Sequence, residues 1–171
     1  MQTQTQMQAP NQASMQQQAA RGGAPAEDAG IVFLTLTVAG KPCAVPALSV
    51  RDVLGPQTIT RIPLAPPEVA GSLNLRGRIV TAIDLRRRLG LGPREPGAPA
   101  PMSVVVEHGG ELYSLLSDAV GEVVPLHARD AAPNPPTLDP LWREVSRGVH
   151  RQDGRLLIVL DIEGVLAFGP M

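Results

Sequence analysis

The residues of this chain that could carry covalent or metal chemistry are few and scattered. Cys43 is the one cysteine among 171 residues, and its apolar surroundings favour a small buried side chain over a nucleophile. His108, His127 and His150 lie far apart and lack the spacing of metal ligands. Gly90-Leu91-Gly92 lies outside a strand–turn–helix context, and no Gly-x-Ser-x-Gly elbow occurs. The sequence therefore shows no catalytic constellation.

An arginine in an unusual context is more informative. The stretch 71–85, GSLNLRGRIVTAIDL, reads as a strand interrupted by Asn74-Leu75-Arg76-Gly77. Turns need Asn and Gly, but they do not need an Arg between them. Arg suits a contact site because its stem covers apolar surface while its guanidinium forms directional hydrogen bonds. On these residues alone, a solvated turn arginine remains the alternative.

Composition excludes several classes of function. The formal net charge of −1 and the 2% aromatic content are untypical of nucleic-acid binders, which use basic surfaces and stacking platforms. No apolar run is long enough to span a bilayer, and the N-terminus lacks the regions of a signal peptide. The lone cysteine fits a reducing compartment. These features predict a soluble, cytoplasmic protein.

Three segments interrupt the folded pattern. Residues 1–30 are rich in Gln and Ala without apolar periodicity, which predicts a disordered tail. Residues 90–101, GLGPREPGAPAP, predict a linker, and residues 130–140 contain prolines that block helices and central strands. The basic run Arg86-Arg87-Arg88 is interpreted as the solvated face of a short helix that Asp84 caps.

Between these breaks the pattern is mostly β. Strands are predicted at 31–38, 43–45, 78–83, 102–106, 112–116 and 156–160, with short apolar segments at 50–54 and 58–62. Asp153-Gly154 predicts a type I′ hairpin turn.

The two halves of the chain also resemble each other. A shift of 70 places Gly40 on Gly110, and a shift of 77 places Gly77 on Gly154, so that GRIVTAIDL matches GRLLIVLDI. Two small β barrels of similar design, packed together, explain this match, with chance likeness between β segments as the alternative. In the second half, Arg151-Gln152-Asp153 stands where the first has Asn74-Leu75-Arg76, so the Leu and Arg exceed what the turn requires.

A family resemblance gives these residues a context. Ile59-Thr-Arg-Ile-Pro63, the segment 66–71, Asn-Leu-Arg-Gly with the following Asp-Leu-Arg, and the closing Arg155–Ile162 run together resemble the CheW family of chemotaxis coupling proteins over residues 31–168. The resemblance implies two SH3-like five-stranded β barrels with short helices, written roughly as subdomains 31–90 and 102–168. It also implies no catalytic activity and no cofactor.

The same resemblance implies partners and a binding site. The expected partners are the cytoplasmic hairpin tip of a chemoreceptor and the regulatory domain of the histidine kinase CheA, with recruitment to membrane-associated receptor arrays but no membrane insertion and no nucleic acid. The expected partner-binding residues are Val50, Asp52, Asn74, Leu75, Arg76, Gly77 and Ile79. An Asp52–Arg76 pair is expected to orient the guanidinium. Val50, Leu75 and Ile79 are candidates for an apolar patch beside it, with ordinary core positions as the alternative for Val50 and Ile79. The alternative function is a small β-barrel module that binds a ligand or nucleic acid.

Overall fold

The computed structural model describes residues 30–168, so the predicted N-terminal tail lies outside the described residues apart from Gly30. Within this range the strands are β1 (Ile31–Val38), β2 (Lys41–Pro46), β3 (Val50–Leu54), β4 (Val69–Leu75), β5 (Arg78–Asp84), β6 (Met102–His108), β7 (Glu111–Ser117), β8 (Ala119–Leu126), β9 (Ala131–Ala132), β10 (Ser146–Gln152) and β11 (Arg155–Leu160). The α-helices are α1 (Leu85–Arg88), α2 (Pro140–Val145) and α3 (Ile162–Leu166).

The strands form two sheets. Sheet 1 has the order β8-β1-β2-β11-β10-β9, and sheet 2 has the order β3-β6-β7-β5-β4. Sheet 1 counts six strands because the two-residue β9 pairs with β10. Each sheet curls around its own apolar interior, and the mostly-β fold of two SH3-like barrels is confirmed.

The internal repeat is confirmed by strand pairing. Shifts of 70 and 77 convert the order of the five longer strands of sheet 1 into the order of sheet 2. The registers correspond as well, since Val38 pairs with Lys41 in one barrel and His108 with Glu111 in the other. Even the bulge recurs, because Gly71 and Gly148 both follow a register shift and have φ angles of 151° and 139°.

The barrels do not, however, divide the chain at the 90–101 linker. Sheet 1 takes β1 and β2 from the first half and β8–β11 from the second, whereas sheet 2 takes β3–β5 from the first half and β6 and β7 from the second. The parallel pairs β2–β11 and β5–β7 connect the halves. The subdomain bounds 31–90 and 102–168 therefore describe the two copies of the repeat and not the two barrels.

Three apolar clusters stabilise this arrangement. One fills barrel 1 around Phe33 and Leu157, and another fills barrel 2 around Leu73 and Val80. The largest lies between the sheets and is covered by the helices, where Trp142 is 1% exposed. Burial of this apolar surface, at roughly 25 cal/mol per Å², is the main force that holds the barrels together.

The predicted solvated face of Arg86–Arg88 is wrong for two of its three residues. Arg88 is 6% exposed, and its guanidinium donates to the carbonyls of Val165 and Gly164 at 2.9 Å each. Arg86 donates through Nε to Asp118 at 3.0 Å. These acceptors lie on distant segments that pack against α1, so the short helix carries tertiary contacts instead of a free cationic surface.

The structure adds detail to two further segments and to the cap of α1. Residues 58–62 contribute only an isolated bridge, Thr60 to Ser72, and not a strand. The 90–101 segment is anchored, because Arg94 donates a hydrogen bond to Asp84 at 3.3 Å and forms an ion pair with Asp118 at 3.0 Å. The predicted cap of α1 is confirmed, since Asp84 accepts a hydrogen bond from the backbone N–H of Arg86 at 3.0 Å.

Candidate partner-binding site

The β4–β5 hairpin presents Arg76 on a strained turn. Arg76 and Gly77 have φ angles of 53° and 84°, as a type I′ turn requires. The Gly77 N–H donates to Asn74 Oδ1 at 2.9 Å, which fixes the turn. A left-handed conformation costs a non-glycine residue roughly 1–2 kcal/mol. Arg76 therefore occupies a position where folding alone favours Asn, Asp or Gly.

The equivalent hairpin of the repeat has the favoured residues. Asp153 and Gly154 have φ angles of 48° and 76°, which confirms the predicted type I′ turn. Asp tolerates this conformation because its short polar side chain bonds locally. The same backbone geometry is thus built with a common turn residue in one copy and with Arg76 in the other.

The predicted Asp52–Arg76 pair is formed. Arg76 Nη2 lies 3.4 Å from Asp52 Oδ2, with the two side chains 82% and 26% exposed. Asp52 Oδ1 accepts a hydrogen bond from the Val53 N–H at 2.9 Å. The carboxylate is therefore held by β3 while most of the guanidinium faces solvent. An exposed pair of this kind contributes only about 0–1 kcal/mol to stability, so its effect is to orient Arg76.

A shallow pocket of about 190 Å³ lies beside this pair. Its lining combines charged and apolar side chains from β3, β6, β7 and the hairpin: Arg51, Asp52, Leu75, Arg76, Arg78, Glu107 and Leu112. A second ion pair, Arg51 Nε to Glu107 Oε2 at 2.8 Å, closes one side. We call this site the first pocket.

The predicted apolar patch of Val50, Leu75 and Ile79 does not form. Leu75 packs against the interior of barrel 2, and Val50 packs against the cluster between the sheets. Ile79 is 70% exposed and pairs with Asn74 across the hairpin. Because side chains alternate along a strand, Asn74 and Ile79 share one face of the hairpin and Leu75 lies on the other.

Several residues of the site were not predicted. Arg51, Glu107 and Leu112 join the first pocket because β3 pairs with β6 and β6 with β7. A second unpredicted feature is an exposed apolar surface on barrel 1, where Val32 and Val123 are 46% and 58% exposed. Val123 lies opposite Leu34 on β1, so it shares a face with Val32.

The described part of the chain offers little for catalysis. Cys43 is fully buried, and this burial raises the pKa of its thiol to about 12, so the nucleophilic thiolate does not form near neutral pH. Within residues 30–168, no group of His, Cys, Asp and Glu side chains could hold a metal ion. None of the helices in this range is long and apolar enough to cross a membrane. The exposed, directional groups of the site suit a contact with another protein.

Comparison with known proteins agrees with this geometry. The sequence-family model of the CheW-like domain matches residues 32–168 of this chain. The chain is 31% identical over 148 residues to the chemotaxis protein CheW of Klebsiella aerogenes, covering 85% of this chain and 87% of that protein. It is 29% identical over 136 residues to chemotaxis protein CheW of Rhizobium meliloti, covering 80% and 87%. The crystal structure of the scaffolding protein TtCheW from Thermoanaerobacter tengcongensis superposes with a TM-score of 0.72 at 28% identity, covering 81% of this chain and 94% of that one.

Proposed function

Because this chain belongs to the CheW family, whose members are non-catalytic scaffold proteins of chemotaxis, we propose that it couples the cytoplasmic hairpin tip of a chemoreceptor to the regulatory domain of the kinase CheA. Family membership replaces the ligand- or nucleic-acid-binding module that the β pattern alone left open. The proposed location is the cytoplasm, with recruitment to receptor arrays at the membrane.

The observation that carries the receptor half of the proposal is Arg76 itself. It is 82% exposed, oriented by Asp52, and placed at a turn position that disfavours arginine. A strained residue persists where the surrounding structure holds it, and such residues cluster at binding sites. In the proposed contact Arg76 is the central residue. The proposed partner-binding set is Val50, Asp52, Asn74, Leu75, Arg76, Gly77 and Ile79.

These residues have different proposed tasks. Asp52, Asn74 and Gly77 hold Arg76 in place, while Ile79 adds exposed apolar area on the adjoining face. Val50 and Leu75 are half-buried and support β3 and the hairpin from below. An arginine surrounded by both apolar and polar side chains is typical of a binding hot spot.

An adaptor also needs a second surface. The exposed apolar residues Val32 and Val123 belong to barrel 1, whereas Arg76 belongs to barrel 2. Exposed apolar clusters commonly mark protein contacts. We therefore place the proposed kinase contact on this surface, where it would leave the Arg76 hairpin free for the receptor.

Calorimetric titration with a receptor hairpin-tip fragment tests the receptor contact. Arg76→Glu is expected to weaken binding at least about tenfold, the effect of losing a hot-spot residue. Arg151→Glu makes the same charge change on the equivalent hairpin of the repeat and should leave the affinity unchanged. Both variants should keep the far-UV circular dichroism of the parent chain. Unchanged affinity of the Arg76→Glu chain would contradict the proposal.

A further inference from the structure

A larger pocket lies beside the second hairpin, β10–β11. Its volume is about 360 Å³, and it opens between β8 and the hairpin turn. Glu122, Asp153 and Arg155 are its charged lining residues, and all three are exposed. We call it the second pocket.

The second pocket is the repeat equivalent of the first. The shifts of 70 and 77 carry every lining residue of the first pocket onto a lining residue of the second. Asp52 corresponds to Glu122, Arg76 to Asp153 and Arg78 to Arg155. Because the strand registers of the two barrels also correspond, these pairs occupy equivalent positions in the fold.

Smaller side chains explain the larger volume. Gly121 replaces Arg51, and Thr37 replaces Glu107, so the ion pair that closes the first pocket has no counterpart. A Cβ atom on Gly121 would lie 2.5 Å from Thr35 Oγ1. That hydroxyl donates to the Glu122 carbonyl at 2.7 Å, which fixes β8 at the pocket wall.

The two pockets differ most in the arginine side chains that line them. In the first, the carboxylate of Asp52 is paired with Arg76 of the same chain. In the second, the acid is kept as Glu122, but the arginine is replaced by a second acid, Asp153. Across residues 30–168, the ion pairs involve neither Glu122 nor Asp153 nor Arg155. The second pocket therefore keeps the carboxylate acceptor of the first pocket but has no arginine at the position of Arg76.

We propose that the second pocket binds an arginine side chain of a partner protein, whose guanidinium takes the position that Arg76 holds in the first pocket. Two carboxylates suit a guanidinium, which offers five N–H donors in a planar fork. Arg155 does not exclude this ligand, because its equivalent Arg78 lines the first pocket together with Arg76. The pocket would make the chain bivalent, with a donor hairpin in one barrel and an acceptor hairpin in the other.

Nuclear magnetic resonance of the full ¹⁵N-labelled chain tests this proposal with N-acetyl-arginine amide as the probe. The amide signals of Glu122 and Asp153 should shift with the probe and not with N-acetyl-citrulline amide, its uncharged analogue. A chain carrying Glu122→Gln and Asp153→Asn should bind the arginine probe at least about fivefold more weakly, since both charge-assisted acceptors are lost.

The first pocket provides a matched control. In the parent chain the signal of Asp52 should not move, because Arg76 already occupies that position, whereas Arg76→Ala should make Asp52 respond to the probe. Three results would overturn the proposal: no shift at the second pocket, equal shifts with the citrulline analogue, or unchanged affinity after the double substitution. A failed receptor titration with Arg76→Glu would leave this test unaffected, because the three deciding results concern Glu122 and Asp153 and not the receptor.

Discussion

Replacing Arg88 by methionine is expected to destabilise the fold strongly, although arginine is usually a surface residue. Methionine keeps much of the apolar stem but has no donors. Arg88 is 6% exposed, and its guanidinium satisfies the carbonyls of Gly164 and Val165 on α3. The last carbonyls of a helix lack the usual donor four residues on. The Gly164 carbonyl also accepts from the Ala167 N–H at 3.3 Å, and the two hydrogen bonds from Arg88 cap α3 and tie it to α1.

The expected magnitude follows from these contacts. A hydrogen bond to a charged group contributes about 1.5–3 kcal/mol, and a buried acceptor left without a donor costs about 1–3 kcal/mol. Relief from burying the guanidinium and partial hydration of the carbonyls offset part of this loss. We expect the free energy of unfolding to fall by about 3 kcal/mol, which lowers the melting temperature by about 10 °C for a domain of this size.

Urea unfolding of the Arg88→Met chain measures the effect, and Glu144→Gln is its control. Glu144 lies 3.5 Å from Arg88 but is 61% exposed, so losing this ion pair should cost less than about 1 kcal/mol. A loss below about 0.5 kcal/mol for Arg88→Met would refute the assignment of α3 capping to Arg88, given the charged hydrogen bonds involved. Equal losses in the two variants would instead assign the effect to the ion pair.

Three further perturbations test other contacts. Arg76→Asn should raise the free energy of unfolding by about 0.5–1 kcal/mol in urea titrations while it weakens receptor binding, because Asn tolerates the left-handed turn; a loss of stability would contradict the strain at this position. Burial would raise the pKa of the Asp118 carboxyl, but hydrogen bonds from Arg86 and a backbone N–H outweigh burial and lower it below its usual value. The stability that Asp118 contributes should therefore be present above its unfolded pKa, near 3.9, and be lost as pH falls through the lower folded value. Thermal melts of the Asp118→Asn chain should show a melting temperature below that of the parent chain at pH 7, and this difference should shrink below about pH 4. A difference in melting temperature that does not depend on pH would contradict this linkage. Gly71→Ala should cost at least about 3 kcal/mol because its Cβ would overlap the backbone carbonyl oxygen of Thr60. Gly77→Ala meets no atom within 4 Å and should cost only about 1 kcal/mol of turn strain, so equal melting temperatures for the two variants would rule out this difference.

Local sequence patterns predicted much of the fold because a hairpin is specified by a short continuous segment of the chain. Asp153-Gly154 predicts its turn from two residues, and the strand predicted at 156–160 forms as part of β11. The exchange of strands between the barrels could not be predicted in this way. It depends on parallel pairs such as Cys43 with Ile158, and apolar periodicity does not specify the partner of a strand.

The site was predictable to a similar extent. Arg76 was identifiable because its residue type conflicts with its turn, and its pair with Asp52 is formed. The second ion pair, between Arg51 and Glu107, requires the pairing of β3 with β6. Arg88 was misinterpreted for a related reason, since its acceptors lie 76 and 77 residues away in the sequence and a basic run alone indicates solvent exposure.

The most direct measurement of the coupling role is a three-component capture assay. A receptor hairpin-tip fragment is immobilised, and retention of the CheA regulatory domain is measured with and without the full chain. The account predicts that the chain raises retention of the kinase domain, and that Arg76→Glu abolishes the increase while Arg151→Glu preserves it. Kinase-domain retention that is the same in the presence and absence of the chain would contradict the account.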